Sequence, residues 1–207
     1  MRNMQRLATL TTLPLLLIVG ACSRDSQTEP REPTTASQTV TSPEALVTTG
    51  EVTEEPDEAQ AKLIDSAGRE IGKAKLSQEE DGVKVVVELD QAPPGHKGVH
   101  VHEKGDCSNL AAKSMGDHFA PETKLHALPT EQREADRHLG DLGNIEVEDD
   151  GTGKLEIKVK RANIKPNDAL SYLGRALVVH TGADSGSAKQ PSGDSGQPFA
   201  CGVIEST

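Results

Sequence analysis

The chain has 207 residues and carries 33 acidic against 22 basic side chains, a formal net charge of −11. The acids are spread along its whole length, which argues against a nucleic-acid partner. Its three aromatic residues, Phe119, Tyr172 and Phe199, leave a core of Val, Ile, Leu and Ala, which suits β-strands better than a large apolar pocket.

The first 22 residues have the pattern of a secretory signal peptide. Arg2 and Arg6 precede an apolar run over 13–20 that is too short to span a membrane. The run ends in 19–22 (VGAC), which resembles a bacterial lipobox and implies cleavage before Cys22 and attachment of a lipid to its sulfur. The alternative is a plain signal peptide followed by a cysteine without a role. We expect export and lipid anchoring in the bacterial cell envelope, in the periplasm or on the outer surface.

The segment 23–58 is rich in Thr, Ser, Pro and Glu, with nine acids and two arginines. It shows almost no apolar periodicity, so we expect a solvated, disordered tether. The chain therefore divides into a signal peptide (1–22), a tether (23–58) and one folded domain (59–207).

From residue 59 onward, short strand-like runs alternate with turn residues. The runs are 61–64, 70–76, 82–89, 98–102, 144–148, 154–159, 175–180 and 200–204. Without helical periodicity of useful length, this pattern predicts an all-β sandwich or barrel of seven or eight strands. Two connections, about 103–143 and 181–198, are long for such a domain, which is typical of functional loops.

His100 and His102 stand two residues apart in a valine-rich run. Residues i and i+2 of a strand share a face, so the two imidazoles would lie side by side and could bind one metal ion. The alternative is two surface histidines on a polar strand face. Four further histidines lie in the first long connection or at the mouth of the second: His118, His126, His138 and His180.

Apart from Cys22, the chain contains two cysteines, Cys107 and Cys201. In an oxidising compartment an even pair predicts one disulfide. The bond would close a long loop, which stabilises a fold chiefly by restricting the unfolded chain.

Five strings resemble those of the copper-zinc superoxide dismutases and occur in the family's order. They are 98–103 (GVHVHE), 118–121 (HFAP), 137–144 (RHLGDLGN), 177–180 (LVVH) and 200–204 (ACGVI). The resemblance covers about residues 60–205. It implies a Greek-key fold with two functional loops, bound copper and zinc, and dismutation of the superoxide anion to O₂ and H₂O₂.

The resemblance also implies the roles of individual residues. The copper ligands would be His100, His102, His118 and His180. The zinc ligands would be His118, His126, His138 and Asp141. His118 would bridge the two metals and carry a proton during catalysis, and Cys107 and Cys201 would form the disulfide. Asp184 would connect His126 to His100 or His102, the alternative being an ordinary loop aspartate, while His96 matches no ligand position.

One position departs from the family. The arginine that the resemblance places two residues before 200–204, where it guides the anionic substrate, is Pro198 here. We therefore expect a lowered or more salt-insensitive rate and keep a second hypothesis, a non-enzymatic copper- and zinc-binding or copper-delivery protein. A purely structural sandwich with vacant sites is a third. The resemblance is compatible with a homodimer but leaves the oligomeric state open.

Overall fold

The computed structural model describes residues 55–122, 124–190 and 192–207. The expected signal peptide, the lipidation site at Cys22 and nearly all of the tether lie outside the described residues. Within the described ranges no helix is long and apolar enough to cross a membrane. The helical content of this part of the chain is one 3₁₀ turn, Glu134–Asp136.

The described part of the chain forms nine β-strands. They are β1 (Glu58–Asp65), β2 (Glu70–Glu79), β3 (Gly82–Leu89), β4 (Gly95–His102), β5 (Asp141–Val147), β6 (Gly153–Val159), β7 (Ala176–His180), β8 (Pro198–Val203) and β9 (Glu205–Ser206). The eight predicted strands are all present, with ends displaced by a few residues. The short β9 was not expected.

Eight of the strands close into an antiparallel barrel. The order is β2-β3-β6-β5-β4-β7-β8-β1-β9, and the pairing of β1 with β2 completes the ring. The chain crosses between β3 and β4, since β3 pairs with β6 while β4 pairs with β5 and β7. The predicted all-β Greek-key class is confirmed.

The barrel interior is aliphatic, as the composition required. Along β3, Val83, Val85 and Val87 are fully buried and alternate with partly exposed residues. Each such side chain contributes about 1.5–3 kcal/mol through burial, an upper estimate. Tyr172 is also buried, and its hydroxyl donates to Leu139 O at 2.6 Å, which ties two connections together.

Strand β4 is buried on both faces. Val99 and Val101 point into the core, whereas His100 (0% exposed) and His102 (4%) lie on the other face beneath the long loops. The alternative of two surface histidines is therefore wrong.

The two long loops meet over this face of β4. The first runs from 103 to 140 and the second from 181 to 197. The predicted disulfide, Cys107–Cys201, joins the first loop to β8, with a Cα–Cα distance of 5.6 Å and a sequence separation of 94. Asp141 is the first residue of β5, which corrects the expectation that it belongs to the loop.

Candidate metal centre

The first loop returns to β4 and places His118 beside it. His118 forms an isolated antiparallel bridge with His102. Phe119 N donates to Val101 O, and Gly140 N donates to Phe119 O, each at 2.8 Å. A Cβ at Gly140 would overlap Val101 O, so only glycine permits this close approach.

Four imidazoles converge between β4, β7 and the first loop, and they form the first group of candidate metal ligands. Their ligand atoms all lie within 4.8 Å of one another, and the residues are His100, His102, His118 and His180. His102 Nδ1 donates to Gly116 O at 2.8 Å and His180 Nδ1 to Gly196 O at 3.2 Å, so that the two Nε2 atoms face each other 3.4 Å apart. Two facing lone pairs favour a cation between them.

Burial lowers the pKa of all four imidazoles, and the positive charge that neighbouring rings would carry lowers it further. The pKa of His102 falls to about 3 and that of His180 to about 4. At neutral pH these rings are therefore uncharged, which is the form in which imidazole binds a metal.

A second group surrounds the carboxylate of Asp141. Its Oδ1 lies 3.0 Å from both His118 Nδ1 and His126 Nδ1 and 3.4 Å from His138 Nδ1. The four residues whose ligand atoms all lie within 4.8 Å of one another are His100, His118, His126 and Asp141. The sequence analysis placed His138 among the expected zinc ligands. His138 is not one of these four residues, and it contacts them at Asp141 Oδ1.

The charges in this group are strongly coupled. Burial would raise the pKa of Asp141, but hydrogen bonds with His118, His126 and His138 outweigh it and hold that pKa well below its usual range. Burial would lower the pKa of His126, but Asp141 and Asp184 raise it to about 9. In the metal-free protein, His126 therefore holds a proton at neutral pH that a metal must displace.

Asp184, on the second loop, joins the two groups. Its Oδ2 lies 2.8 Å from His100 Nε2, and its Oδ1 lies 2.8 Å from His126 Nε2. Of the two partners that the sequence left open, Asp184 contacts His100, whereas His102 Nδ1 is bonded to Gly116 O and His102 Nε2 faces His180. The interpretation of Asp184 as an ordinary loop aspartate does not fit these contacts.

Two residues that shape the surroundings of Asp184, Asn144 and Gly193, were not predicted from the sequence. The side chain of Asn144 bonds to both the carbonyl and the amide of Asp184, at 2.9 and 2.7 Å. Gly193 has a φ of +60°, and a Cβ there would overlap Asp184 Oδ1 and His126 Nε2. Local sequence carries no signal for these contacts, since they join residues of different loops and strands.

A family model described as copper/zinc superoxide dismutase matches residues 70–204. A copper-zinc superoxide dismutase of Aquifex aeolicus is 34% identical over 150 residues, which are 70% of this chain and 85% of that protein. An extracellular copper-zinc superoxide dismutase of Brugia pahangi is 36% identical over 155 residues, covering 70% of this chain and 74% of that protein.

The chain belongs to the copper/zinc superoxide dismutase family. The solved structure of the clock protein EA4 is also similar, with a TM-score of 0.64 and 34% identity over 74% of this chain and 96% of that chain. Membership confirms the resemblance found in the five strings.

The donors present fit the two metals that the superoxide dismutase family implies. Buried His100 Nδ1 and His118 Nε2 have no hydrogen-bond partner among the described residues. Such unpartnered buried nitrogens are destabilising by about 1–3 kcal/mol each unless a metal accepts their lone pairs. Four imidazoles suit copper, and imidazoles with one carboxylate suit zinc. Copper and zinc are accordingly the cofactors of this superoxide dismutase-family protein.

The position expected to hold the guiding arginine lies beside the first group. Pro198 pairs directly with His180 in the β7–β8 register. A proline offers neither charge nor a donor at this point, and the sequence contains no arginine after Arg175. His96, which matched no ligand position, is exposed at the start of β4.

Proposed function

We propose that residues 59–207 form an exported superoxide dismutase. Two superoxide anions and two protons give one O₂ and one H₂O₂. One superoxide is oxidised and the other is reduced, so that no further oxidant or reductant is needed. Family membership, the names of the relatives and the buried histidine groups support this proposal.

The ligand sets that we propose follow the sequence analysis. Copper is held by His100, His102, His118 and His180, and zinc by His118, His126, His138 and Asp141. Bound copper supplies the one-electron redox chemistry, and bound zinc stabilises the first loop. Asp184 orients His100 and His126 through their second ring nitrogens, a contact that also raises the basicity of the ligating nitrogen.

The observation that carries the proposal is the position of His118. Its Nδ1 contacts Asp141 Oδ1 at 3.0 Å, while its buried Nε2 has no partner among the described residues and faces the first group. Two imidazoles, His100 and His118, belong to both groups, and of these two it is His118 that contacts Asp141 directly. We propose that His118 Nε2 takes up a proton and returns it to the departing peroxide, a general acid–base role.

Metal analysis followed by a superoxide assay tests this function. The mature chain, loaded with one copper and one zinc, should dismutate superoxide, and His118→Ala should lower kcat/KM by about 10²-fold or more. His96→Ala, which alters an exposed histidine on the same strand, should leave the rate unchanged. Absence of activity in protein with both metals confirmed would contradict the enzyme assignment.

The second candidate is a non-enzymatic copper- and zinc-binding or copper-delivery protein. Pro198 favours it, because the site lacks the expected guide for an anion. A binding protein would hold both metals in the same assay without turnover. The shared position of His118 favours the enzyme, since a storage site does not require one imidazole between two metals.

We further propose that the protein is lipid-anchored through Cys22 in the bacterial cell envelope. The signal-like segment 1–22 supports export, as do the disulfide and the extracellular relative of Brugia pahangi. A bacterial host fed labelled palmitate should transfer label to the wild-type chain but not to Cys22→Ser. A homodimer is compatible with this arrangement and would be detected by light scattering of the delipidated chain.

A further inference from the structure

Glu134 joins the first loop to the end of β6. It begins the 3₁₀ turn of that loop, and its side chain is half-buried. Its Oε2 accepts a hydrogen bond from Lys160 N at 2.9 Å, and its Oε1 accepts one from Arg161 N at 2.6 Å. Both oxygens of one carboxylate are therefore occupied by backbone amides that lie 26 and 27 residues away along the chain. Hydrogen bonds accepted by a carboxylate are stronger than those between neutral groups.

The end of β6 is a firm anchor for this contact. β6 pairs with β3 along its whole length, from Gly153 to Val159, and Lys160 and Arg161 follow directly after it. A second contact reinforces the first, because Arg161 Nη2 lies 2.5 Å from Oε2 of Glu122, which also belongs to the first loop. The first loop is therefore fastened to one turn of the barrel at two points.

The fastened part of the first loop covers an opening in the barrel. Among the described residues, β5 and β6 pair only at Val147 and Gly153, so the two strands diverge beyond their hairpin. Leu128 and Pro129 of the loop line the resulting groove together with residues of both strands. Strand pairing does not hold the loop over this groove, so side-chain contacts such as that of Glu134 determine where it lies.

The chain that leaves the 3₁₀ turn leads directly to expected zinc ligands. Arg137 follows the turn and is buried, and its Nη1 donates to His138 O at 3.3 Å and to Asp141 O at 3.0 Å. His138 N donates to Leu125 O at 3.2 Å, and Leu125 precedes His126. The position of the 3₁₀ turn is therefore passed on to the backbone of all three residues.

We propose that Glu134 is a positioning residue for the zinc ligands. By accepting two barrel amides, it fixes the segment between His126 and His138 before the metal binds, so that less of the binding free energy is used to order the loop. This inference rests on the zinc ligands of the proposed function. The copper ligands lie on β4 and β7, apart from His118, which the backbone hydrogen bonds of Phe119 hold beside β4. Copper binding should therefore be independent of Glu134.

Titration of the copper-loaded chain with cobalt(II) tests this role without turnover. Cobalt(II) serves as the probe for the zinc site, because its visible absorption reports the coordination geometry. Glu134→Ala should weaken cobalt(II) binding by about tenfold, since hydrogen bonds to a charged group contribute at least this factor. The copper(II) absorption should stay as in the wild type. Glu134→Gln retains one acceptor oxygen and should lie between the wild type and Glu134→Ala.

Asp136→Ala is the matched control. Asp136 lies on the same 3₁₀ turn, and its carboxylate contacts the exposed Arg133. The variant removes the same charge without touching the link to β6, so it should bind cobalt(II) as the wild type does. If Glu134→Ala alters the copper(II) absorption, the comparison of Glu134→Gln with Asp136→Asn takes its place.

The comparison among variants decides the outcome. A loss of cobalt(II) affinity confined to the Glu134 variants, with copper retained, supports the role. Equal cobalt(II) affinity for Glu134→Ala and wild type would overturn it, and so would an equal loss in Asp136→Ala or a parallel loss of copper. A wild-type chain that binds no cobalt(II) beside copper would overturn both this role and the zinc ligand set. A selective loss in a chain that lacks turnover would instead contradict only the dismutase function.

Discussion

Single residues determine how the two groups of histidines are coupled. Asp184 contacts one imidazole from each group at 2.8 Å, and Asn144 holds its backbone from β5. The sequence identified Asp184 through its family position, because a carboxylate next to a histidine ligand is a recurrent arrangement. It could not identify Gly193, since the need for glycine arises only where the second loop crosses Asp184 and His126.

Replacement of Gly193 by alanine should loosen the metal centre. The added Cβ overlaps Asp184 Oδ1 and His126 Nε2, so Asp184 should lose its hold on His126. Zinc affinity should fall by about 10- to 100-fold, the usual effect of disturbing a residue that orients a ligand. Competition with a chromogenic chelator measures it.

Gly68→Ala is the control for Gly193→Ala. Gly68 has a φ of +80°, but a Cβ there would meet nothing within 4 Å. It therefore imposes a similar backbone strain without the overlap. If both variants lost zinc equally, backbone strain and not contact with Asp184 would be the cause.

Pro198→Arg should raise the dismutation rate at low ionic strength. The residue pairs with His180, so a guanidinium there would add positive potential next to the first group. The gain should shrink at 0.15 M salt because of screening. Gln60→Arg is the control, because it adds the same charge on an exposed part of β1 and should leave the rate unchanged. An equal rise in rate for Gln60→Arg and Pro198→Arg would show that the net charge of the domain is the cause.

Among the elements, the first loop depends most on bonds that span the sequence. It contains a single 3₁₀ turn and is held by its pairing with β4, the Tyr172–Leu139 hydrogen bond and the disulfide to β8. The strands that frame the loop were predicted because alternating valines and turn residues specify them locally. The path of the loop was not predictable, because it follows contacts between distant residues.

Removal of the disulfide should destabilise the domain and mobilise the first loop. Cys107→Ala with Cys201→Ala opens a loop with a sequence separation of 94, for which the chain-entropy model gives about 4–5 kcal/mol. Urea unfolding should show this loss of free energy, and hydrogen exchange should rise in residues 103–117. Unchanged exchange in this segment would mean that pairing with β4 alone holds the loop.

At the scale of the whole molecule, a negatively charged domain buries uncharged imidazoles between the outer face of the barrel and the two long loops. The depressed pKa values of His102 and His180 mean that the folded metal-free protein keeps them neutral, whereas the unfolded chain protonates them near pH 6.5. Acid therefore favours the unfolded chain. His126 has the opposite shift, to about 9, and its stabilising contribution is fully present below pH 6.5.

The metal-free protein should lose stability as the pH falls from 6.5 to about 4. Each imidazole that stays neutral on folding lowers the free energy of unfolding by about 1.4 kcal/mol per pH unit in this window. His126 does not offset the loss, because its contribution is constant there. Urea midpoints at pH 7 and pH 4.5 measure the effect, and His102→Gln should reduce the pH dependence by the share of one imidazole. A midpoint independent of pH would contradict the assigned shifts.

The sequence by itself determined the barrel, its aliphatic core, the disulfide and the family, because strand periodicity and short strings are local properties of the chain. It also named every histidine that the structure brings together. Only the tertiary structure decided that Asp184 contacts His100 and not His102, that the Asn144 side chain bonds to the backbone of Asp184, and that the second loop requires glycine at Gly193 where it passes Asp184 and His126. These facts depend on where two long loops cross β4, and loop paths are set by contacts between residues far apart in the chain.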